Sequence, residues 1–297
     1  MKKWKGIILA GGNGSRLFPL TQAVNKHLLP VYDKPMIYYP LTTLMLGGLR
    51  DFIIISDPEA LNQIRTLLGD GTRWGIAIAY RTQERAGGIA ECFRIAAADI
   101  AGCNVAVALG DNIFYGAGLP RLLSQAMIHE TGATIFGYEV ADPSGFGVVV
   151  LDTTGRAIDL EEKPKAMRSR LAVPGLYFYD ERVVAISNEI RPSARGELEI
   201  TDVNRHYLAT GDLRVTLFGR GVAWLDGGTH RDLYEASQFV KVIEERTGLK
   251  IACPEEVALR MKFIDQPAFE LLIDPNPKTD YQLYLRSLLE ASPLTER

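Results

Sequence analysis

Cysteine is scarce: Cys92, Cys103 and Cys253 are scattered over 297 positions. No two stand at the spacing of a metal-binding pair, so neither a zinc site nor a disulfide framework is expected, and reduced thiols are. Long apolar runs are missing too. The run at 7–10, behind Lys2, Lys3 and Lys5, stops at Gly11, short of the roughly 7–15 residues of a secretory core. Nothing approaches the ~20 apolar residues of a membrane span, so a soluble, cytoplasmic protein is expected. Nor is there a basic excess. With 33 Lys and Arg against 36 Asp and Glu, nucleic acid is not an expected partner, whereas a small anion needs only a few placed cations. Flexible linkers, repeats and low-complexity segments are also lacking.

What is present is an ordinary globular composition, 47% hydrophobic and 23% charged. Short apolar runs at 7–10, 51–56, 76–80 and 104–109 read as buried strands. Helical spacing at 41–49, 58–68 and 89–99 separates them. This alternation is that of βαβ units, so the first half predicts an α/β, Rossmann-like, mostly parallel sheet flanked by helices. After Asp111 the rhythm changes to strands at 134–140, 147–151, 157–160, 175–179, 213–217 and 222–225, with few long helices. A more antiparallel part is expected there. From Thr229 the pattern turns helical, at 233–246, 255–262, 267–272 and 280–291. One catalytic domain with a helical C-terminal appendage is the simplest organisation.

The chemistry-bearing stretch is Leu9-Ala-Gly-Gly-Asn-Gly-Ser-Arg-Leu17. Gly11, Gly12 and Gly14 follow a buried strand, so the backbone can approach a ligand closely and turn N–H groups towards an anion. It is not a P-loop, since no Lys-Ser/Thr pair follows at the required place. It is a poor dinucleotide fingerprint, because Arg16 stands where a third glycine belongs. A tight turn without a ligand stays open on the loop alone. Arg16 and Lys26, a second cation within ten residues, are what a triphosphate would need. Asp111 and Asp226 each close an apolar strand, where a cap or a turn is the usual role of a lone Asp.

The blocks 9–17 and 26–41 (Lys-His-Leu-Leu-Pro-Val-Tyr-Asp-Lys-Pro-Met-Ile-Tyr-Tyr-Pro-Leu) together resemble the glucose-1-phosphate thymidylyltransferases. The resemblance continues through Leu68-Gly-Asp-Gly71, Leu109-Gly-Asp-Asn-Ile-Phe-Tyr-Gly116, Leu160-Glu-Glu-Lys-Pro164, Gly175-Leu-Tyr-Phe-Tyr-Asp180, Arg195-Gly-Glu-Leu-Glu-Ile-Thr-Asp-Val-Asn204, Trp224-Leu-Asp226 and Cys253-Pro-Glu-Glu256. It implies attack of a glucose 1-phosphate oxygen on the α-phosphorus of dTTP with Mg²⁺, a reaction that needs charge neutralisation and in-line positioning. By residue matching, Gly11, Gly12, Asn13, Gly14, Ser15 and His27 hold the nucleotide, with Arg16 on the β- and γ-phosphates. Lys26 bridges both substrates, and Lys163 holds the sugar phosphate. Gln83 and Gly88 read the base. Asn112, Gly147, Glu162 and Val173 face the sugar, and Asp111 and Asp226 hold the metal. The resemblance also implies a catalytic domain over 1–228, with a nucleotide part to about 116 and a sugar part beyond it. The appendage at 229–297 is then expected to make the contacts of a homotetramer. A second nucleotide-sugar site is expected near Gly116, Glu255, Glu256 and Arg260.

Several positions depart from the family pattern. His27 replaces a Gln, Gly87 an Asp, Glu91 a Gln and Gly227 a Thr, while Val150 stands where many members have Glu. These changes lie near the base and the metal-side loop and leave the phosphate-binding cations in place. They keep open a paralogue using UTP or another hexose 1-phosphate, and a catalytically silent regulatory subunit.

Overall fold

The computed structural model describes residues 2–12 and 14–290; Asn13 and the end of the expected last helix, Ala291, fall outside them. The first half runs β1 (Trp4–Leu9), a β2 (Pro30–Val31) and β3 (Lys34–Pro35) hairpin, α1 (Tyr38–Leu46), β4 (Asp51–Ser56), α2 (Pro58–Leu68), β5 (Ala77–Thr82), α3 (Glu91–Ile95) and β6 (Asn104–Leu109). The middle follows as β7 (Asn112–Gly116), α4 (Leu119–Ile128), β8 (Ala133–Glu139), β9 (Gly147–Leu151), β10 (Ala157–Glu162), β11 (Leu171–Ala172) and β12 (Leu176–Tyr179). After α5 (Val183–Glu189) and α6 (Ile200–Ala209) come β13 (Leu213–Leu217) and β14 (Val222–Asp226). The chain closes with α7 (His230–Thr247), α8 (Pro254–Arg260), α9 (Gln266–Glu270) and α10 (Asp280–Glu290).

Order β10-β9-β11-β8-β12-β6-β1-β4-β5, with β13 beside β8, makes one ten-stranded sheet. Its centre, β6-β1-β4-β5, is parallel, as the apolar runs predict. β1, β4 and β6 are covered on both faces, so apolar residues fill successive positions rather than alternate ones, while β5 is the partly exposed edge. From β12 outward the pairing along that order is antiparallel. Leu9 is level with Leu109 on one side and Ile55 on the other, so three strand ends open at one height. The chain order reverses at β1, and in open α/β sheets the crevice at such a point is where ligands bind.

Three differences from the sequence reading are local. The helix expected at 89–99 is only Glu91–Ile95; beyond it Asp99 is drawn aside by Arg81, and its carbonyl accepts from Lys5 Nζ at 2.5 Å. The middle region carries α4, α5 and α6, short helices that the strand pattern there does not place, consistent with few long ones. In α5, Val-Val-Ala-Ile has strand-like composition, and packing of Val183 and Ile186 in the core overrides it. Residues 112–116 form β7, which pairs with β14 outside the main sheet.

The C-terminal helices share the core of the site-bearing part. Leu233, Ala236 and Val240 of α7 join Leu17, Val31, Met36 and Ile113 in one apolar cluster. A buried ion pair, Lys34 Nζ to Glu244 Oε1 at 2.7 Å, ties α7 to the β2–β3 hairpin. Among the described residues no helix is long and apolar enough to cross a membrane.

Candidate active site

β1 delivers the chain to the crevice, where Ala10 N–H still donates to Ile55 O at 2.7 Å. Beyond it the loop leaves strand geometry: Gly12 has φ 100° and Gly14 φ 55°. A Cβ on Gly14 would stand 2.8 Å from the Thr21 methyl. Ser15, exposed at the surface, opens a short 3-10 turn anchored by buried Leu17, and Arg16 is thereby aimed at the crevice. The guanidinium lies against Gly228, where a Cβ would meet Nη2 at 2.7 Å. Only glycine leaves Arg16 that place.

The crevice is a cavity of about 350 Å³ that brings together Gly11, Gly12, Arg16, Gln83, Gly88, Asp111, Asn112, Gly147, Glu162, Lys163, Val173 and Asp226. Four expected residues do not line it. Gly14 and Ser15 support the loop from outside. Lys26 lies across the loop, in a smaller recess of about 280 Å³ that it shares with Gly12. His27 is buried behind the loop, where its Nδ1–H donates to Asn25 Oδ1 at 2.7 Å and its ring packs on Gly110. Burial first, and then the Lys26 charge, push its pKa down to about 3, so the imidazole is neutral. Asn13 falls outside the described residues.

Two carboxylates far apart in sequence meet because β14 pairs with β7, setting Asp226 opposite Asn112 and so beside Asp111. Asp111 Oδ2 lies 2.5 Å from Lys26 Nζ, and its Oδ1 accepts from Asn112 Nδ2 at 3.0 Å. Burial opposes its charge, yet Lys26 holds it below the usual carboxylate range. Asp226 goes the other way: burial and then the Asp111 charge push its pKa up to about 6. Its Oδ1 is buried without a hydrogen-bond partner among the described residues. Such an atom is costly unless a ligand or cation completes it. Those residues hold no cluster of three or more His, Cys, Asp or Glu able to bind a metal. A cation here would need further oxygens from its ligands.

On the cavity wall Gln83 is 7% exposed, and Gly88, at φ 96°, stands against Leu198, whose backbone a Cβ would meet at 2.5 Å. Also on the wall, Glu162 Oε2 accepts from Thr201 Oγ1 at 2.6 Å. Lys163 follows it with φ 46°, a left-handed conformation rare for a side-chain-bearing residue. Neither Arg16 nor Lys163 is in an ion pair among the described residues, which leaves both charges for a ligand. Asn112 is more committed than the sequence suggests. Its Oδ1 already accepts from Gly175 N–H at 3.0 Å and Trp224 Nε1–H at 2.7 Å.

The sequence reading assigned no role to several lining residues. Arg195 holds both oxygens of Glu199 at 2.9 Å and stands 3.6 Å from Glu162 Oε1. Thr201 and Trp224 join them on the cavity wall. All lie in blocks 195–204 and 224–226, whose ordered match was their only signal. A separate cavity of about 240 Å³ is lined by Gly116, Tyr115, Lys250, Glu256 and Arg260. Glu255 is not on its wall; it accepts from Tyr281 OH at 2.6 Å and Trp74 Nε1–H at 3.1 Å.

A strand-end crevice with a glycine loop, two cations outside any ion pair among the described residues, and neighbouring carboxylates has the parts that phosphate-ester chemistry needs. Residues 5–242 match the family model described as nucleotidyl transferase, and the chain belongs to that family. Within it, the chain is similar to glucose-1-phosphate thymidylyltransferases. It is 50% identical to that of Xanthomonas campestris pv. campestris over 288 residues, which is 97% of this chain and 98% of the relative. It is also 50% identical to that of Neisseria meningitidis serogroup A, over 96% of this chain and 99% of the relative. A Bacillus anthracis protein assigned as a glucose-1-phosphate thymidylyltransferase, solved with sucrose, superposes with a TM-score of 0.74 at 41% identity. That match covers 80% of this chain and 94% of the other.

Proposed function

We propose that this protein transfers a thymidylyl group from dTTP to glucose 1-phosphate, giving dTDP-glucose and pyrophosphate. The observation that carries this reading is the spread of charge around one cavity. Arg16 from the glycine loop, Lys163, Asp111 and Asp226 all line it. In the reaction an oxygen of the sugar phosphate bonds to the α-phosphorus while the bond to the β-phosphate oxygen breaks, and pyrophosphate leaves with the electron pair. Backbone N–H groups of the loop and Arg16 hold the β- and γ-phosphates and neutralise the leaving group. Lys26 screens the two anions from each other, and Lys163 holds the sugar phosphate in line.

The two carboxylates fit a divalent cation: the donor set is all oxygen, one buried oxygen lacks a partner among the described residues, and two carboxylates are typical for Mg²⁺ beside phosphate ligands. We assign Asp111 and Asp226 as its protein ligands. When bound, Mg²⁺ supplies charge neutralisation on the phosphates. Glu162 accepts hydroxyls of the sugar, Gly147 and Val173 present backbone, and Asn112 shapes the wall. Residues 1–228 with the docked helices then form the catalytic unit, working in the cytoplasm. The cavity at Gly116, Glu256 and Arg260 is the place for a second nucleotide sugar in a homotetramer.

Thymine and uracil differ by one methyl, worth about 1 kcal/mol of burial, so UTP is the nearest competitor. Pyrophosphate release measured across four nucleoside triphosphates and several sugar 1-phosphates tests the reading. Turnover fastest with dTTP and glucose 1-phosphate is expected. Preference for a purine triphosphate or CTP would overturn the assignment of Gln83 and Gly88.

A further inference from the structure

Two of the departures from the family pattern, Gly87 and Glu91, stand beside the cavity-lining Gln83 and Gly88, and the structure joins them. Glu91 Oε2 accepts from Gln83 Nε2 at 2.7 Å, and the same nitrogen points at Gly88 O at 3.4 Å. A Cβ on Gly87 would stand 2.2 Å from Glu91 Oε2 and 2.5 Å from Oε1. The carboxylate of Glu91 thus occupies the space that any side chain at 87 would enter. Where the family pattern has a carboxylate at 87 and an amide at 91, this chain has moved the carboxylate to 91 and emptied position 87.

We infer that Glu91 is a positioning residue that fixes the orientation of the Gln83 amide and thereby selects bases carrying an N3–H. An ionised carboxylate only accepts hydrogen bonds, so Gln83 must turn its NH₂ towards Glu91. Its carbonyl Oε1 then faces the loop side, where it would be 2.6 Å from a Cβ on Gly11. No donor to that oxygen occurs among the described residues. Gly88 N–H, close by, donates to nothing among them either. An acceptor beside a donor complements the N3–H and O4 of thymine or uracil. It opposes the N3 acceptor and amino group of cytosine, which would leave two buried groups facing like partners. An amide at 91 could face Gln83 with either end and would not enforce this orientation.

The inference rests on the proposed base site, and the test separates the two. Wild type, Glu91→Gln and Gly87→Asp/Glu91→Gln are assayed with dTTP, UTP and CTP at saturating glucose 1-phosphate, with thermal melts to confirm folding. Glu91→Gln is expected to lower the dTTP-to-CTP ratio of kcat/KM about tenfold or more, mainly through a higher KM for dTTP. KM for glucose 1-phosphate should stay within about twofold. The double variant, which returns a carboxylate to the loop in the family arrangement, is expected to recover most of the ratio. A ratio unchanged in Glu91→Gln, or an equal loss with all three triphosphates, would overturn the role of Glu91. A wild type without preference for dTTP and UTP over CTP would instead overturn the base site itself, and the inference with it.

Discussion

Lys26 Nζ lies 2.5 Å from Asp111 Oδ2, with only 15% and 12% of the two side chains exposed. The two charges neutralise each other in a largely buried pair. Removing one partner of a buried pair leaves the other charge uncompensated, at a cost of up to about 3–5 kcal/mol. Lys26→Ala should lower kcat by about 10²–10³. It should also lower the melting temperature of the metal-free protein, with Mg²⁺ restoring part of the loss. Steady-state kinetics and melts with and without Mg²⁺ check both.

Asp226 is a site residue that costs stability. Its pKa is pushed up to about 6 by burial and by Asp111, and its Oδ1 has no partner among the described residues. The sign follows from linkage: the unfolded carboxyl ionises first, so the folded state loses stability as pH rises from about 4 to about 6, and the penalty is constant above that. Asp226→Asn should therefore melt a few degrees higher than wild type at pH 7–8 without metal. The difference should vanish near pH 4, and activity should be lost at every pH. Melts across pH 4–8 read this directly.

The parallel centre of the sheet was legible because strands buried on both faces leave unbroken apolar runs, as at Ile53–Ile55. The glycine loop was legible as a candidate phosphate cradle because glycines at 11, 12 and 14 and cations at 16 and 26 are close in sequence; of these, Gly11, Gly12 and Arg16 line the cavity. The meeting of Asp111 with Asp226 was not written locally, since it depends on β14 pairing with β7; only the matched blocks pointed to it. The helix α5 was missed because its β-branched opening is stabilised by tertiary packing. His27 was expected at the nucleotide, and the structure sets it behind Gly110, where a neutral ring shapes the loop.

Lys163 owes its position to a backbone at φ 46° directly after Glu162. Its charge should act on the sugar phosphate rather than on the nucleotide. Lys163→Ala is expected to raise KM for glucose 1-phosphate about tenfold or more, with KM for dTTP changed less than about threefold. Varying each substrate at saturation of the other separates these effects.

Gly88 combines φ 96° with the Leu198 backbone at 2.5 Å from any added Cβ. Gly88→Ala cannot keep this loop, because both the conformation and the space exclude a side chain. A rise in KM for dTTP is expected, with KM for glucose 1-phosphate little changed. Equal KM values in variant and wild type would place the base elsewhere.

Nucleotidyl transfer from dTTP to glucose 1-phosphate changes the environment of every phosphorus in both substrates. ³¹P NMR of the enzyme with dTTP, glucose 1-phosphate and Mg²⁺ follows every phosphorus in the mixture at once. The expected result is dTDP-glucose and pyrophosphate appearing in equal amounts as both substrates fall together, with no dTMP and no orthophosphate. Release of orthophosphate or dTMP without a nucleotide sugar, or unchanged spectra under conditions where the protein is folded, would rule out nucleotidyl transfer to the sugar phosphate.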